Sequence, residues 1–394
     1  AASDVYKRQD RDDIIFGGAG NDTLSGDDGD DILAGETGDD IIFGNRGTDT
    51  LQGEAGDDVL DGGAGDDILL GGADNDRLLH SAGGDVFDGG TGIDEVDYSA
   101  ALSGIDISLD NSTSSAGAAA GDSFATVENV TGTQFADIIN GDAGANVLRG
   151  LGGDDTLNGG VGADILFGDA GADTLFGEDG DDVLHGGAGN DWLEGGLGRD
   201  TILGGDGDDV LLGNEGGDDL FGGAGNDIII AGAGGDFIDG GSGDDDLTGG
   251  AGNDVYFFNA QSGHDLINAF DPAQGTDVLR TDEDVNPRNF WFEQVGDDLL
   301  LTLLGTTTQL TIKDWFAPGG AGGSDPNAFR VDLQIPGRQT DDVRASDLVA
   351  LMSSFTRPEG VDEIPDAIWD IIGPQVVAAW DLAVAPVIDA VADQ

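Results

Sequence analysis

The chain has 394 residues, 72 of them Gly and only 6% aromatic, so a single large apolar core is not expected. Its 80 acidic residues against 14 basic ones give a formal charge of −66, which argues strongly against nucleic acid and anionic membrane as partners and points to solubility or a cationic partner. Cysteine is absent, so neither disulfides nor thiolate zinc sites can hold the fold together, a feature that fits an extracellular protein.

The N-terminal "AASDVYKRQD" has no initiator Met, no apolar stretch and no cleavage pattern, so it is not a secretory signal peptide, and the true beginning is expected to lie upstream. A degenerate unit, "RQDRDDIIF", then leads into a period of nine residues that holds from Gly17 to Asp97, nine repeats without slippage. Residues 98–131 break the register, since 34 is not a multiple of nine. There "IDISLD" and "FATVENV" read as strands around the Ser/Ala/Gly loop "NSTSSAGAAAG", a structured bridge rather than a flexible linker because the apolar residues alternate. A second array runs from Gly132 to Phe257, fourteen repeats in one register.

After Phe257 the glycines thin out, and "DVYFFNAQSGHDLINAF", "NFWFEQVGDDLLLTLLG" and "TTTQLTIKDWF" alternate like strands, with Gly305 suited to a hairpin turn. Residues 258–335 are expected to form a β-rich cap, because an open end of a stacked sheet exposes an unpaired edge. Within 336–394, "ASDLVALMSSF" has helical spacing behind a Ser cap, and "PDAIWDIIGPQVVAAWDLAVA" suits short helices broken at Gly373-Pro374. The longest apolar stretch there is interrupted by Asp381, Pro386 and Asp389, so no membrane span is expected.

Within the repeat, three positions are phased together. The sixth is Asp in all nine units of the first array and in thirteen of fourteen in the second, Asn146 being the exception. The eighth is apolar throughout, and the fourth is Gly except at Asp74 and Phe135. Residues seven to nine are expected to form a short strand whose eighth side chain points inward. The Gly-rich first six residues reverse the chain through positive-φ turns. Two units then make one coil of about eighteen residues, and stacked coils repeat at about 4.8 Å.

Stacking also aligns the sixth-position carboxylates. At about 5 Å and an effective dielectric near 20, each like-charged pair costs on the order of 3 kcal/mol, so a positive charge must lie between them. A hard dication suits this donor set, and calcium, with six to eight oxygens in flexible geometry, suits it better than magnesium with its strict octahedron. Transition metals are disfavoured, since only His80, His185 and His264 offer nitrogen.

"GGAGNDTLS", "GGAGDDILL", "GGAGNDWLE" and "GGAGNDIII" resemble the nonapeptide of the repeats-in-toxin (RTX) family of haemolysin-type calcium-binding proteins, G-G-x-G-x-D-x-U-x with U large and apolar. The resemblance covers both arrays. It implies an all-β, right-handed parallel β-roll in two arrays, 8–97 and 132–257, holding many calcium ions between successive turns. By resemblance the ligands are the sixth-position carboxylates Asp22, Asp31, Asp40, Asp49, Asp58, Asp67, Asp76, Asp85 and Asp94 of the first array. In the second they are Asp155, Asp164, Asp173, Asp182, Asp191, Asp200, Asp209, Asp218, Asp227, Asp236, Asp245 and Asp254, joined by turn carbonyls such as those of Gly17, Ala19, Gly26, Gly35, Gly186, Ala188 and Gly195. Asp22 is expected to pair with Asp40, Asp31 with Asp49, Asp155 with Asp173 and Asp164 with Asp182. Asp74, His80, Phe135, Asn146 and Ala231 depart from the pattern and mark its weak spots for calcium.

The connector and the "TIKDWF" ending also resemble segments that join and follow such arrays. The family further implies a secreted protein served by type I secretion machinery, with an uncleaved C-terminal signal for which the last 60 or so residues are a candidate. No H-E-x-x-H or G-x-S-x-G motif occurs, so no catalytic residue is assigned. The expected function is non-enzymatic calcium binding with calcium-induced folding after export. Alternatives are the export module of a larger enzyme (protease, lipase or alginate epimerase) and an adhesin or surface-layer protein; a surface or polysaccharide partner stays open. Finally, Trp192, Val210, Leu212, Ile228 and Ile230 fall on outward positions and suggest an apolar stripe for a cap segment or an external partner.

Overall fold

The computed structural model describes residues 5–7, 11–110, 116–268, 277–281, 290–304, 306–313 and 329–332. The helices expected in 336–394, the hairpin glycine Gly305, the "DWF" of "TIKDWF" and the first part of the Ser/Ala/Gly loop lie outside these residues. Among the described residues every regular element is a strand, and none is a helix long and apolar enough to cross a membrane. The chain divides into two units, residues 1–197 and 198–394.

The repeat physics decides the first unit. Most of its strands are six residues long, as in Thr23–Asp28, Ile41–Arg46 and Val59–Ala64, and within the arrays each pairs in parallel with the strand eighteen residues on. Thr23 lies beside Ile41, Leu24 beside Ile42 and Ser25 beside Phe43. The strands alternate between two faces, so that Ile32–Thr37 and Thr50–Ala55 stack on the opposite face from Thr23–Asp28. These are longer than the three-residue strands the sequence suggests. Identical turns stacked on one another continue the ladder, with Asp27 beside Asn45 and Asp28 beside Arg46. The Gly29 N–H likewise donates to the Arg46 carbonyl at 2.9 Å and Gly38 to Ala55 at 2.8 Å.

Glycine is required where the turn stacks most closely. At the fourth position of its repeat, Gly47 has φ +143°, and a Cβ there would fall 1.7 Å from the Gly29 carbonyl oxygen of the adjacent coil. The second position is also left-handed, and Asp27, Glu36, Asn45 and Glu54 occupy it at φ 73–78°. Inside, the eighth-position side chains from Leu24 to Val96 and from Ile139 to Leu193 are fully buried.

The register break at 98–131 is an exchange of strands. On one face the sheet continues, Glu95–Asp97 pairing with Asn129–Thr131 and that strand with Val147–Gly152. On the other, Ile105–Ser108 starts a new sheet against Ile138–Asn140, and Ser123–Ala125 then returns to close the earlier one against Val86–Thr91. The chain thus lays the first strand of one stack before the last strand of the other.

The second unit repeats the scheme: Thr201–Asp206, Asp219–Ala224, Phe237–Ser242 and Val255–Phe258 pair in series on one face, and Val210–Glu215, Ile228–Gly234 and Asp246–Gly252 on the other. Coiling goes on past the last glycine repeat, since His264–Ile267 pairs with Asp246–Gly252 and Asp277–Thr281 with Val255–Phe258. One sheet ends in antiparallel pairs, Phe290–Val295 with Asp298–Leu303 around Gly296, and Asp298–Leu303 with Gln309–Ile312, while the other ends with Phe329–Asp332 parallel to Asp277–Thr281. Phe290, Trp291, Phe292, Leu299, Leu301 and Leu310 are buried there.

Candidate metal sites

The sixth residue of each repeat immediately precedes a strand, so its side chain is fixed at the edge where one coil meets the next. All of the candidate aspartates from Asp22 to Asp94 and from Asp155 to Asp254 are at most 3% exposed. Each column is built from one contact repeated. The backbone N–H of one aspartate donates to Oδ1 of the aspartate one coil on: Asp22 to Asp40 at 2.6 Å, Asp31 to Asp49 at 2.7 Å, Asp155 to Asp173 at 2.9 Å and Asp164 to Asp182 at 2.7 Å. In the second unit Asp200 donates in the same way to Asp218 and Asp209 to Asp227, both at 2.9 Å.

The other carboxylate oxygen is the informative one. At Asp31, Asp40, Asp49, Asp58, Asp67, Asp76, Asp155, Asp164, Asp173, Asp218 and Asp227, Oδ2 is buried without a hydrogen-bond donor. A buried, unsatisfied anionic oxygen is costly, and a whole column of them is not stable without a counter-charge. Burial accordingly pushes the carboxyls of Asp58, Asp76, Asp155 and Asp236 up to about 7 from an ordinary 3.8, against the donated N–H that lowers them. The neighbouring carboxylates of the column add to the rise; Asp49, Asp85, Asp173 and Asp227 reach about 6.

The first-position glycines show what surrounds Oδ2. A Cβ on Gly26 would fall 2.1 Å from Asp31 Oδ2 and 3.0 Å from the Gly44 carbonyl oxygen of the next coil. Gly17 stands in the same way between Asp22 and the Gly35 carbonyl, Gly168 between Asp173 and the Gly186 carbonyl, and Gly177 between Asp182 and the Gly195 carbonyl. The space is thus bordered by oxygens, the donor chemistry of a hard cation. Third-position carbonyls have a second duty: that of Ala188 accepts the Gly171 N–H at 2.9 Å, and Ala19 pairs beside Thr37 in the equivalent ladder.

The columns outlast the repeats. One ends as Asp85 donates to Asp122 (2.9 Å), another as Asp94 donates to Glu128 (2.8 Å); in the second unit Asp254 donates to Asp277 (3.0 Å) and Asp245 to Asp265 (3.3 Å). Asp265 is pushed up to about 9, by burial first and by the Asp245 charge second. These four were missed because the paired glycines that open each repeat are gone before them, although Gly263 and Gly275 still stand two before Asp265 and Asp277. An acidic residue two before an inward apolar one persists nonetheless: Asp122 with Phe124, Glu128 with Val130, Asp265 with Ile267, Asp277 with Leu279.

Turns beside the connector resolve their charge internally. Asp137, a sixth-position residue outside the candidate set, accepts at Oδ2 from the Thr133 N–H (2.6 Å) and at Oδ1 from the Thr133 hydroxyl (2.9 Å) and the Ile105 N–H (2.8 Å). Asn146 replaces the carboxylate by an amide whose Nδ2 donates to the Glu128 carbonyl at 2.8 Å. The Phe135 and Asn146 departures therefore coincide with turns satisfied by hydrogen bonds. Elsewhere His185 stacks on Phe167 at 5.0 Å, over which Arg149 also lies, and His264 meets Asp244 at 3.1 Å. Trp192, Ile228 and Ile230 are each a little over two-fifths exposed, and the described residues place no cap segment on them.

The model of the RTX calcium-binding nonapeptide repeat matches residues 9–42, 43–78, 131–166, 158–193, 167–202, 185–220, 194–229 and 221–256. These are RTX calcium-binding nonapeptide repeats. The matches fall on the two arrays, leaving outside residues 79–130, which hold the last two repeats of the first array and nearly all of the connector, and the segment after residue 256. The RTX repeats imply calcium binding, and the parallel solenoid agrees with an RTX β-roll. Among solved structures, the extracellular lipase LipA from Serratia marcescens is similar at 21% identity, covering 45% of this chain and 38% of that one with a TM-score of 0.21. The RTX chain therefore spans well under half of that lipase. No curated protein matches the chain.

Proposed function

We propose that this chain is a secreted calcium-dependent folding module in which the sixth-position aspartates are the calcium ligands. The buried Oδ2 atoms without a donor carry the reading, because they are acceptors in register along each edge and bordered by first-position carbonyls. Asp22 through Asp94 and Asp155 through Asp254 would hold the ions, with carbonyls such as those of Gly35, Gly44, Gly186 and Gly195 completing an all-oxygen set. Bound calcium supplies the positive charge that the chain lacks.

Without calcium the columns repel and the thin interior is too small to compensate, so the chain stays open at low cytosolic calcium, a state suited to passage through a secretion channel. Millimolar calcium outside then neutralises the columns, and binding free energy becomes folding free energy.

Circular dichroism of the full chain in chelator and in millimolar calcium tests this. The expected result is an unfolded spectrum that becomes a β-sheet spectrum on adding calcium, with magnesium a poor substitute. A full sheet signal in excess chelator overturns it.

A further inference from the structure

One turn of the first unit carries chemistry that differs from every other. His80 stands at the first position of its repeat, where nearly all other repeats have Gly. The structure brings it together with Asp85, the sixth-position residue of the same repeat, and Asp122, from the connector. One ligand atom from each lies within 4.8 Å of the other two. The His80 side chain is only 9% exposed and those of Asp85 and Asp122 are buried; His80 Nδ1 has no hydrogen-bond partner and lies 3.6 Å from Asp122 Oδ2.

The surroundings hold the three groups in place. His80 stacks on the buried ring of Tyr98 at 4.6 Å, and Phe87 packs edge-on against that ring at 6.4 Å. The Tyr98 hydroxyl donates to Asp122 Oδ2 at 2.7 Å and the Ser81 hydroxyl to Asp85 Oδ2 at 3.2 Å. A buried imidazole nitrogen without a donor or acceptor, aimed at two buried carboxylates, is a costly arrangement for a purely structural turn.

We propose that His80, Asp85 and Asp122 form a mixed nitrogen and oxygen site for one borderline divalent cation of the zinc or cobalt class. Calcium takes oxygen ligands, whereas imidazole suits zinc and its first-row neighbours. Two carboxylates balance a dication and a neutral imidazole adds no charge. Three protein ligands leave a position for water, as in open zinc sites. Hydroxyl donors on the ligating carboxylates, like those of Tyr98 and Ser81, orient such ligands and raise metal affinity. The three histidines are scattered in sequence and speak against this class of metal; only the strand exchange at the connector puts Asp122 beside His80. The proposal does not rest on calcium at the other turns.

Cobalt(II) is the probe, because its visible d–d bands report nitrogen ligation while millimolar calcium occupies the all-oxygen turns. The full chain in millimolar calcium is expected to bind one equivalent of cobalt with a saturable visible band that zinc displaces. His80→Gly, which restores the residue of the other repeats, is expected to weaken cobalt by more than about 100-fold while leaving the calcium-dependent sheet spectrum unchanged. Tyr98→Phe, removing the donor to Asp122, is expected to cost about 10-fold, the scale of losing an outer hydrogen-bond partner. His185→Gln and His264→Gln are expected to leave the band intact. No saturable band in the wild-type chain, a band that persists in His80→Gly, or one that follows His185 or His264 overturns the proposal. The sheet spectrum, read separately, reports whether the calcium reading holds.

Discussion

The turns at the middle of an array and the turns beside the connector face the same electrostatic problem and solve it differently. At Asp40 and Asp58 one carboxylate oxygen takes a backbone N–H and the other is buried with no donor, so neutrality must come from outside the chain. At Asp137 both oxygens are satisfied by Thr133 and Ile105, and at Asn146 an amide removes the charge altogether. A strictly repeated turn has no residue to spare for a local donor. The connector, freed from the period, supplies Ile105 and Glu128, and the irregular turn that follows it supplies Thr133. Dependence on a cation is thus a consequence of regularity, and the irregular junction is where it is relieved.

The largest effect is expected from neutralising one column. A chain carrying Asp40→Asn, Asp58→Asn and Asp76→Asn should need several-fold more calcium to reach its folding midpoint. In chelator it should be more folded than the wild type, because repulsion of about 3 kcal/mol per neighbouring pair is removed. Circular dichroism against calcium concentration reads both, and a variant less folded than wild type in chelator would break the contrast.

Acid should act next most strongly, and only without calcium. Folding raises the carboxyls of Asp49, Asp58, Asp76 and Asp155 from 3.8 to about 6 or 7, so the folded chain holds these protons more tightly than the unfolded one. Their contribution to stability is complete below about pH 4 and is lost as pH rises through 6 to 7. In chelator the sheet signal should therefore grow on going from pH 8 to pH 5. In calcium the trend reverses, since protons compete with the metal. Identical pH trends with and without calcium would count against the metal at these turns.

Asp137→Ala should cost about 1–3 kcal/mol by leaving the buried N–H groups of Thr133 and Ile105 without their acceptor. Its signature is that the loss in urea melts is equal at limiting and at saturating calcium, unlike any loss at Asp58. Asn146→Asp should be smallest, about 1 kcal/mol at limiting calcium from the lost donor to the Glu128 carbonyl, and partly recovered at saturating calcium. A loss unchanged by calcium would mean that this turn cannot be returned to the pattern of the others.

Much of the fold was legible because one side chain per repeat, from Leu24 to Leu247, had to be buried at a fixed interval, and only a coil of two repeats achieves that. The strand length was not, since three-residue strands grow to six through contacts between turns eighteen residues apart. For the sites, the sixth-position aspartates were visible as a phase in the sequence. Asp122, Glu128, Asp265 and Asp277 were not, because the paired glycines that open each repeat are missing there and the nine-residue phase is lost, even though the acid-to-apolar spacing survives.

By itself the sequence determined that carboxylates would be stacked at a regular interval and that a hard cation was needed, since both follow from period and charge. The tertiary structure decided which carboxylates keep an oxygen without a donor, where hydrogen bonds replace the ion, and that His80 meets Asp85 and Asp122. These outcomes depend on neighbours brought together across a strand exchange, and a local repeat carries no record of a partner 37 residues away.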